Sequence, residues 1–253
     1  MTIYKKISGL SDNGLYPRIW LFSLLCDIIN HYTEMENTVK YEAVIFDFDF
    51  TLADASPGII GSANYALRGL SFDECGDEEI KKTVGLTLKE TFAALTGVYD
   101  EALAEKFAVL FREKADVIMT AGTALFPDTI AALSALKAVG VKTAIVTSKF
   151  HYRIDETLTK HSIAHLIDHI IGFEDVKAAK PSPEGLLNTI EYLRADKSGV
   201  LYVGDSLIDA ETAKNAGVDF AAVTTGTTAA LDFQQLPHVA IAGNLSELLD
   251  TLK

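Results

Sequence analysis

Four clusters of reactive side chains stand out along this chain, each placed after a short apolar run. Asp47, Asp49 and Thr51 follow the first, and Thr147, Ser148 and Lys149 follow the second. Lys180, with Pro181 after it, follows the third, and Gly204, Asp205, Ser206 and Asp209 follow the fourth. In open parallel sheets ligands collect at the carboxyl ends of the strands, so these positions form a reactive inventory. Oxygen ligands from two or three aspartates favour a hard cation, and a small octahedral site that keeps several waters suits Mg2+. In a regular strand Asp47 and Asp49 would share a face, but where the chain turns they can take separate roles. One carboxylate can then attack while the other moves a proton. Attack on phosphorus would give an aspartyl-phosphate and split one difficult displacement into two easier steps. The metal and Lys180 would offset charge on the transferring phosphoryl group. Any one of these clusters alone fits a turn or a helix cap; their joint appearance at successive strand ends argues for a site.

The elements that must position these groups are legible in the pattern. From Tyr41 onward, short β-branched runs alternate with helical periodicities, as in a parallel sheet covered by helices. Strands are expected at Ala43–Phe48, Lys142–Thr147, His169–Gly172, Val200–Val203 and Phe220–Thr224, with a weaker one at Val239–Ala242. Helices are expected at Thr129–Val139, stopped by Gly140, from Pro183 through Leu193, and at Leu207–Ala216, stopped by Gly217. From Ile59 to Met119 the alternation breaks into helical segments without a strand: Ile59–Leu70, Glu78–Thr83, Leu88–Leu95 and Glu101–Ile118. Such a stretch between the first and second strands reads as an inserted helical cap. The expected organisation is therefore an N-terminal extension over 1–40, an α/β core over 41–58 and 120–253, and a cap over 59–119. The acidic cluster of Asp73, Glu74, Asp77, Glu78 and Glu79 reads as a solvated face of that cap.

Composition sets limits on partners. At 253 residues, with 49% hydrophobic and 23% charged side chains, the chain has the balance of an ordinary globular protein. Its net charge of -13 would repel a nucleic-acid backbone, so no nucleic-acid partner is expected, and an anionic substrate would need a local cationic centre. Two scattered cysteines, Cys26 and Cys75, are too few for a disulfide framework and fit a reducing cytoplasm. The apolar stretch Ile19–Ile29 is broken by Asp27 and falls short of the ~20 residues a bilayer requires, so no membrane association is expected. It reads instead as an amphipathic helix of the extension, unless Met35 is the true start. The oligomeric state is not legible.

At these same residues the sequence resembles the haloacid dehalogenase superfamily, in its phosphatase branch with a helical cap after the first motif. The likeness runs from Tyr41 to Lys253 and is carried by four motifs in order: Asp47-Phe48-Asp49-Phe50-Thr51, Thr147 after its strand, Lys180 in Lys-Pro-Ser-Pro, and Gly204-Asp205-Ser206-Leu207-Ile208-Asp209. The resemblance implies a Rossmann-like parallel sheet flanked by helices and a Mg2+-dependent phosphatase acting on a small phosphorylated metabolite. It makes Asp47 the nucleophile and a metal ligand. Asp49 becomes the acid and base that also gives its backbone carbonyl to the metal. Asp205 becomes a metal-binding carboxylate, Asp209 its support, Thr147 and Ser148 the phosphate-binding pair, and Lys180 the partner of nucleophile and phosphoryl group. Residues Asp54 to Ile59 match the hinge into the cap.

Within the cap, Val84-Gly85-Leu86-Thr87-Leu88-Lys89-Glu90 resembles the loop that leans over the site in phosphoglycolate phosphatases and related enzymes, so Thr87 and Lys89 are substrate-contact candidates. Thr87 with Glu90 three residues on also fits a helix-capping box. The family usually has Gly where Phe50 stands. A bulky residue is not expected at the positive φ open to Gly, so the turn should differ or the ring should narrow the entrance. His161, His165 and His169 are spaced by four, but no single helix is expected to hold all three. Other chemistries of the same set are a phosphosugar mutase of the β-phosphoglucomutase kind, an inorganic pyrophosphatase, a dehalogenase, or a non-catalytic binding protein.

Overall fold

Alternating apolar side chains along short runs build a parallel sheet buried on both faces. The computed structural model describes residues 40–252, and the expected N-terminal helix lies outside them. The main strands are β1 (Ala43–Phe46), β4 (Lys142–Val146), β5 (His169–Ile171), β6 (Val200–Gly204), β7 (Asp219–Val223) and β8 (Ala240–Ala242). They pair in the order β5-β4-β1-β6-β7-β8, every pair parallel, so β1 is central. Val44 and Phe46 of β1, Leu201 and Val203 of β6, and Val223 of β7 pack to one side with Leu133 and Leu136 from helix Thr129–Ala138 and Ile154 from helix His151–Lys160. Ala43, Ile45, Tyr202 and Phe220 pack to the other, with Leu186 and Ile190 from helix Glu184–Leu193 and Ala210 and Ala213 from helix Leu207–Ala216. The period of two thus sends alternate residues into two cores. Gly140 and Gly217 stop their helices at φ 79° and 73°, where a Cβ would be strained.

Between β1 and β4 the chain leaves the sheet through an antiparallel ribbon of β2 (Ala53–Asp54) and β3 (Ala124–Leu125), too short to be seen as strands in the sequence. The insertion holds α1 (Ser56–Gly69), α2 (Asp77–Lys81), α3 (Leu88–Thr96) and α4 (Glu101–Ile118). The first helix starts three residues before the expected Ile59, because Asp54 Oδ1 accepts the Ser56 N–H at 2.8 Å and Pro57 pre-sets the first turn. These helices close around their own core of Leu67, Ile80, Phe92, Phe107 and Phe111. Phe92 anchors it, its ring centroid 5.5 Å from those of Phe72 and Phe107. Helices α1 and α4 meet closely, since a Cβ on Gly61 would lie 2.8 Å from the Ile118 side chain.

Following α5 (Thr129–Ala138), α6 (His151–Lys160), α7 (Glu184–Leu193) and α8 (Leu207–Ala216), two short helices, α9 (Ala230–Phe233) and α10 (Leu245–Thr251), complete the order. The histidine triplet is dispersed as expected. His161 follows α6, His165 lies in a 3-10 turn, and His169 is in β5, stacked on Tyr192 at 3.8 Å.

Candidate active site

The carboxyl ends of β1, β4 and β6 face the helical insertion. Asp47 is the first residue past β1, and its N–H still bonds the Val203 carbonyl at 2.8 Å. The chain then turns sharply: Leu52 and Ala53 both donate to the Phe48 carbonyl, at 2.9 and 3.1 Å, and Phe50 donates to Ala53 at 2.7 Å. This turn corrects the expectation for Phe50. It does adopt a positive φ, 62°, and its ring is buried outside the cavity wall, so it neither opens the turn nor narrows the entrance. The reason is over-determination: the local hydrogen bonds, burial of the ring, and a bond from the Thr225 hydroxyl to the Phe50 carbonyl together outweigh a conformational cost of order 1–3 kcal/mol.

Three buried aspartates converge beyond the sheet. Asp47, Asp205 and Asp209 each offer an oxygen within 4.8 Å of the others. Lys180 Nζ donates to Asp47 Oδ1 at 2.9 Å and to Asp209 Oδ1 at 2.7 Å. Asp209 is spoken for on both oxygens. Oδ1 takes Lys180 and lies 3.0 Å from the Tyr202 hydroxyl, while Oδ2 accepts the Ser206 N–H and hydroxyl at 3.1 and 2.5 Å. Ser206 and Asp209 thereby form the capping box of α8, so one helix start both ends the strand loop and locks the acid. Among the described residues, Asp205 takes only a 3.3 Å bond from Thr51 on Oδ1. Against its Oδ2 lies Gly226, where a Cβ would sit 1.9 Å away. The donor set of buried carboxylates fits a hard divalent cation, which Asp47, Asp205 and Asp209 could hold.

Electrostatics agree with that fit. Burial, reinforced by the charge of Asp209 and opposed by Lys180, pushes the Asp47 carboxyl up to about 6. Burial also raises Asp205 well above the usual carboxylate range, and the charges of Asp209 and Asp47 add to it. Burial alone would lower Lys180, but Asp209 and Asp47 outweigh it and hold the ammonium charged. An acidic cluster this buried is one that a cation would stabilise.

Residues 44–223 match the model of the haloacid dehalogenase-like hydrolase family. The chain belongs to this family. Its curated relatives include the "Probable phosphatase IndB" of Dickeya dadantii, 34% identical over 72% of this chain and 81% of the relative. Another is the phosphoglycolate phosphatase of Rhodobacter capsulatus, 30% identical over 81% of this chain and 94% of the relative. Among solved structures, a haloacid dehalogenase-like hydrolase from Bacteroides fragilis is 43% identical, covers 82% of this chain and 99% of its own, and superposes with a TM-score of 0.80.

In this dehalogenase-like hydrolase the second aspartate has a partner to which no role was assigned from sequence. Lys149, itself buried, donates to both oxygens of Asp49 at 2.8 and 2.9 Å. Tyr202 was also missed: within an apolar strand it reads as core, yet a buried tyrosine hydroxyl needs a partner, and this one also lies 2.9 Å from the Val146 carbonyl. Thr147 and Ser148 sit where expected, past β4, and the Ser148 hydroxyl donates to the Gly85 carbonyl of the insertion at 3.0 Å. A cavity of about 320 Å³ opens above Asp47 and Asp49, bounded on the far side by the insertion. Thr87 and Lys89 line it, but both side chains are already engaged. Thr87 Oγ1 caps α3 and donates to Glu90 at 2.8 Å, and Lys89 pairs with Glu101 at 2.7 Å.

Proposed function

We propose that the protein is a Mg2+-dependent phosphatase that hydrolyses a small phosphate monoester through an aspartyl-phosphate on Asp47. The observation that carries this reading is Asp47 at the cavity floor, held by Lys180 and flanked by the otherwise lightly engaged Asp205. The relatives named as phosphatases support the reaction class, and phosphoglycolate is the first ester to assay.

In this reading an Asp47 oxygen attacks phosphorus while the bond from phosphorus to the ester oxygen breaks. Asp49 gives its proton to the departing alkoxide, then takes one from the water that attacks the aspartyl-phosphate, which releases inorganic phosphate and regenerates Asp47. Thr147 and the backbone beside Ser148 hold the phosphoryl oxygens, and Lys180 offsets their charge. Bound between Asp47, Asp205 and the Asp49 carbonyl, Mg2+ would supply further charge stabilisation for the transferring group. Lys149 is a positioning residue: its two hydrogen bonds aim the Asp49 carboxylate. Residues 59–119 act as the cap that closes the reacting centre from water, with Thr87 and Lys89 at its rim.

The test is release of inorganic phosphate from a panel of esters with and without Mg2+. Phosphate release that requires Mg2+ supports the reading; no hydrolysis of any ester rejects it. Accumulation of an isomerised sugar phosphate in place of free phosphate would assign a mutase instead.

A further inference from the structure

The cavity above Asp47 has an apolar side for which the substrate suggested by the relatives' names has no counterpart. Its volume is about 320 Å³, more than a two-carbon acid and its phosphoryl group fill. Phe150 and Phe173 form one wall, with ring centroids 5.5 Å apart, and Phe111 and Met119 come from the insertion opposite.

The charged groups in the same walls are already paired within the protein. Arg153 donates to Asp116 at 2.7 Å, Arg112 lies 3.6 Å from Glu105, Lys89 pairs with Glu101, and Lys149 is held by Asp49. A carboxylate on the leaving group would meet no unpaired cation among the described residues lining the cavity, and it would face Glu105.

We propose that the substrate's leaving alcohol carries an uncharged apolar or aromatic body, larger than glycolate, seated between Phe150 and Phe173 on one side and Phe111 and Met119 on the other. This rests on the phosphatase reading and sharpens it. Apolar and aromatic wall residues recognise a ligand's body by burying apolar area, and ring-on-ring contacts add to that burial.

The experiment compares naphthylmethyl phosphate with phosphoglycolate, using the full-length protein with Mg2+. Naphthylmethyl phosphate is chosen because its leaving alcohol is not activated, so any preference reports binding rather than leaving-group chemistry. The expected kcat/KM is at least about tenfold higher for the aryl ester, a gap of the size that an aromatic contact supplies. In Phe150→Ala the ratio of the two kcat/KM values should fall by about tenfold, chiefly through KM of the aryl ester. Phe173→Ala serves as the second variant if the first fails to fold, as judged by circular dichroism. Preference for phosphoglycolate, or an unchanged ratio in a folded variant, overturns this inference and leaves the phosphatase reading standing. Hydrolysis of neither ester, nor of any in the panel, removes both.

Discussion

Lys180 bridges Asp47 and Asp209, and the proposed chemistry depends on the first of these acids. If Asp47 is the nucleophile, Asp47→Asn lowers kcat roughly 10,000-fold, a loss on the order of what removing a nucleophile costs. Steady-state phosphate release checks it, and full activity would contradict it. Lys149 tests a different role. With its two bonds to Asp49 removed in Lys149→Met, kcat falls roughly 100-fold while KM changes less, as expected for a misplaced acid and base. A loss seen only in KM would make Lys149 a substrate anchor. The sequence shows why these two lysines differ in legibility. Lys180 stands directly ahead of Pro181 in the Lys-Pro-Ser-Pro motif, whereas Lys149 directly follows two hydroxyl residues and reads as the start of a helix. Its link to Asp49 spans a hundred positions and exists only once β1 and β4 pair.

At the level of elements, short loops hold the acids because their own backbone is tightly packed. The loop after β7 touches the site twice, through the Thr225 hydroxyl on Phe50 and through Gly226 against Asp205. A methyl group at Gly226 cannot fit beside Asp205 Oδ2, so Gly226→Ala must displace that carboxylate. The Mg2+ concentration for half-maximal activity should rise roughly tenfold or more, the effect expected when a ligand's support is disturbed. A titration with the metal reads this directly, and an unchanged midpoint would remove Asp205 from the ligand set. This contact was not legible, since an isolated glycine after a strand has many reasons to be there. The strands, by contrast, were legible to within two residues at each end, because each carries β-branched residues with a turn signal after it. The ribbon of β2 and β3 was not, since two-residue strands hold too little pattern.

Across the whole molecule two cores divide the work. The sheet and its covering helices position the acids, while the insertion encloses its own aromatic core and supplies the far wall of the cavity. Phe107 is fully buried in that second core, so Phe107→Ala should cost about 3–5 kcal/mol of stability. Urea unfolding followed by circular dichroism measures it; a cost below about 1 kcal/mol would mean the insertion is not held by this core. The break in strand alternation between Ile59 and Met119 made the insertion visible in the sequence. What the sequence could not give is which of its side chains face the acids, because that depends on how α1 and α4 cross. Nor does any helix among the described residues have the length and apolarity to cross a membrane.

The most direct measurement is to quench the protein during turnover of a radiolabelled phosphate ester with Mg2+ and map the label. A nucleophilic Asp47 predicts protein-bound phosphate on the peptide containing Asp47, released by hydroxylamine and missing in Asp47→Asn. Turnover at full rate with no label on that peptide would contradict it.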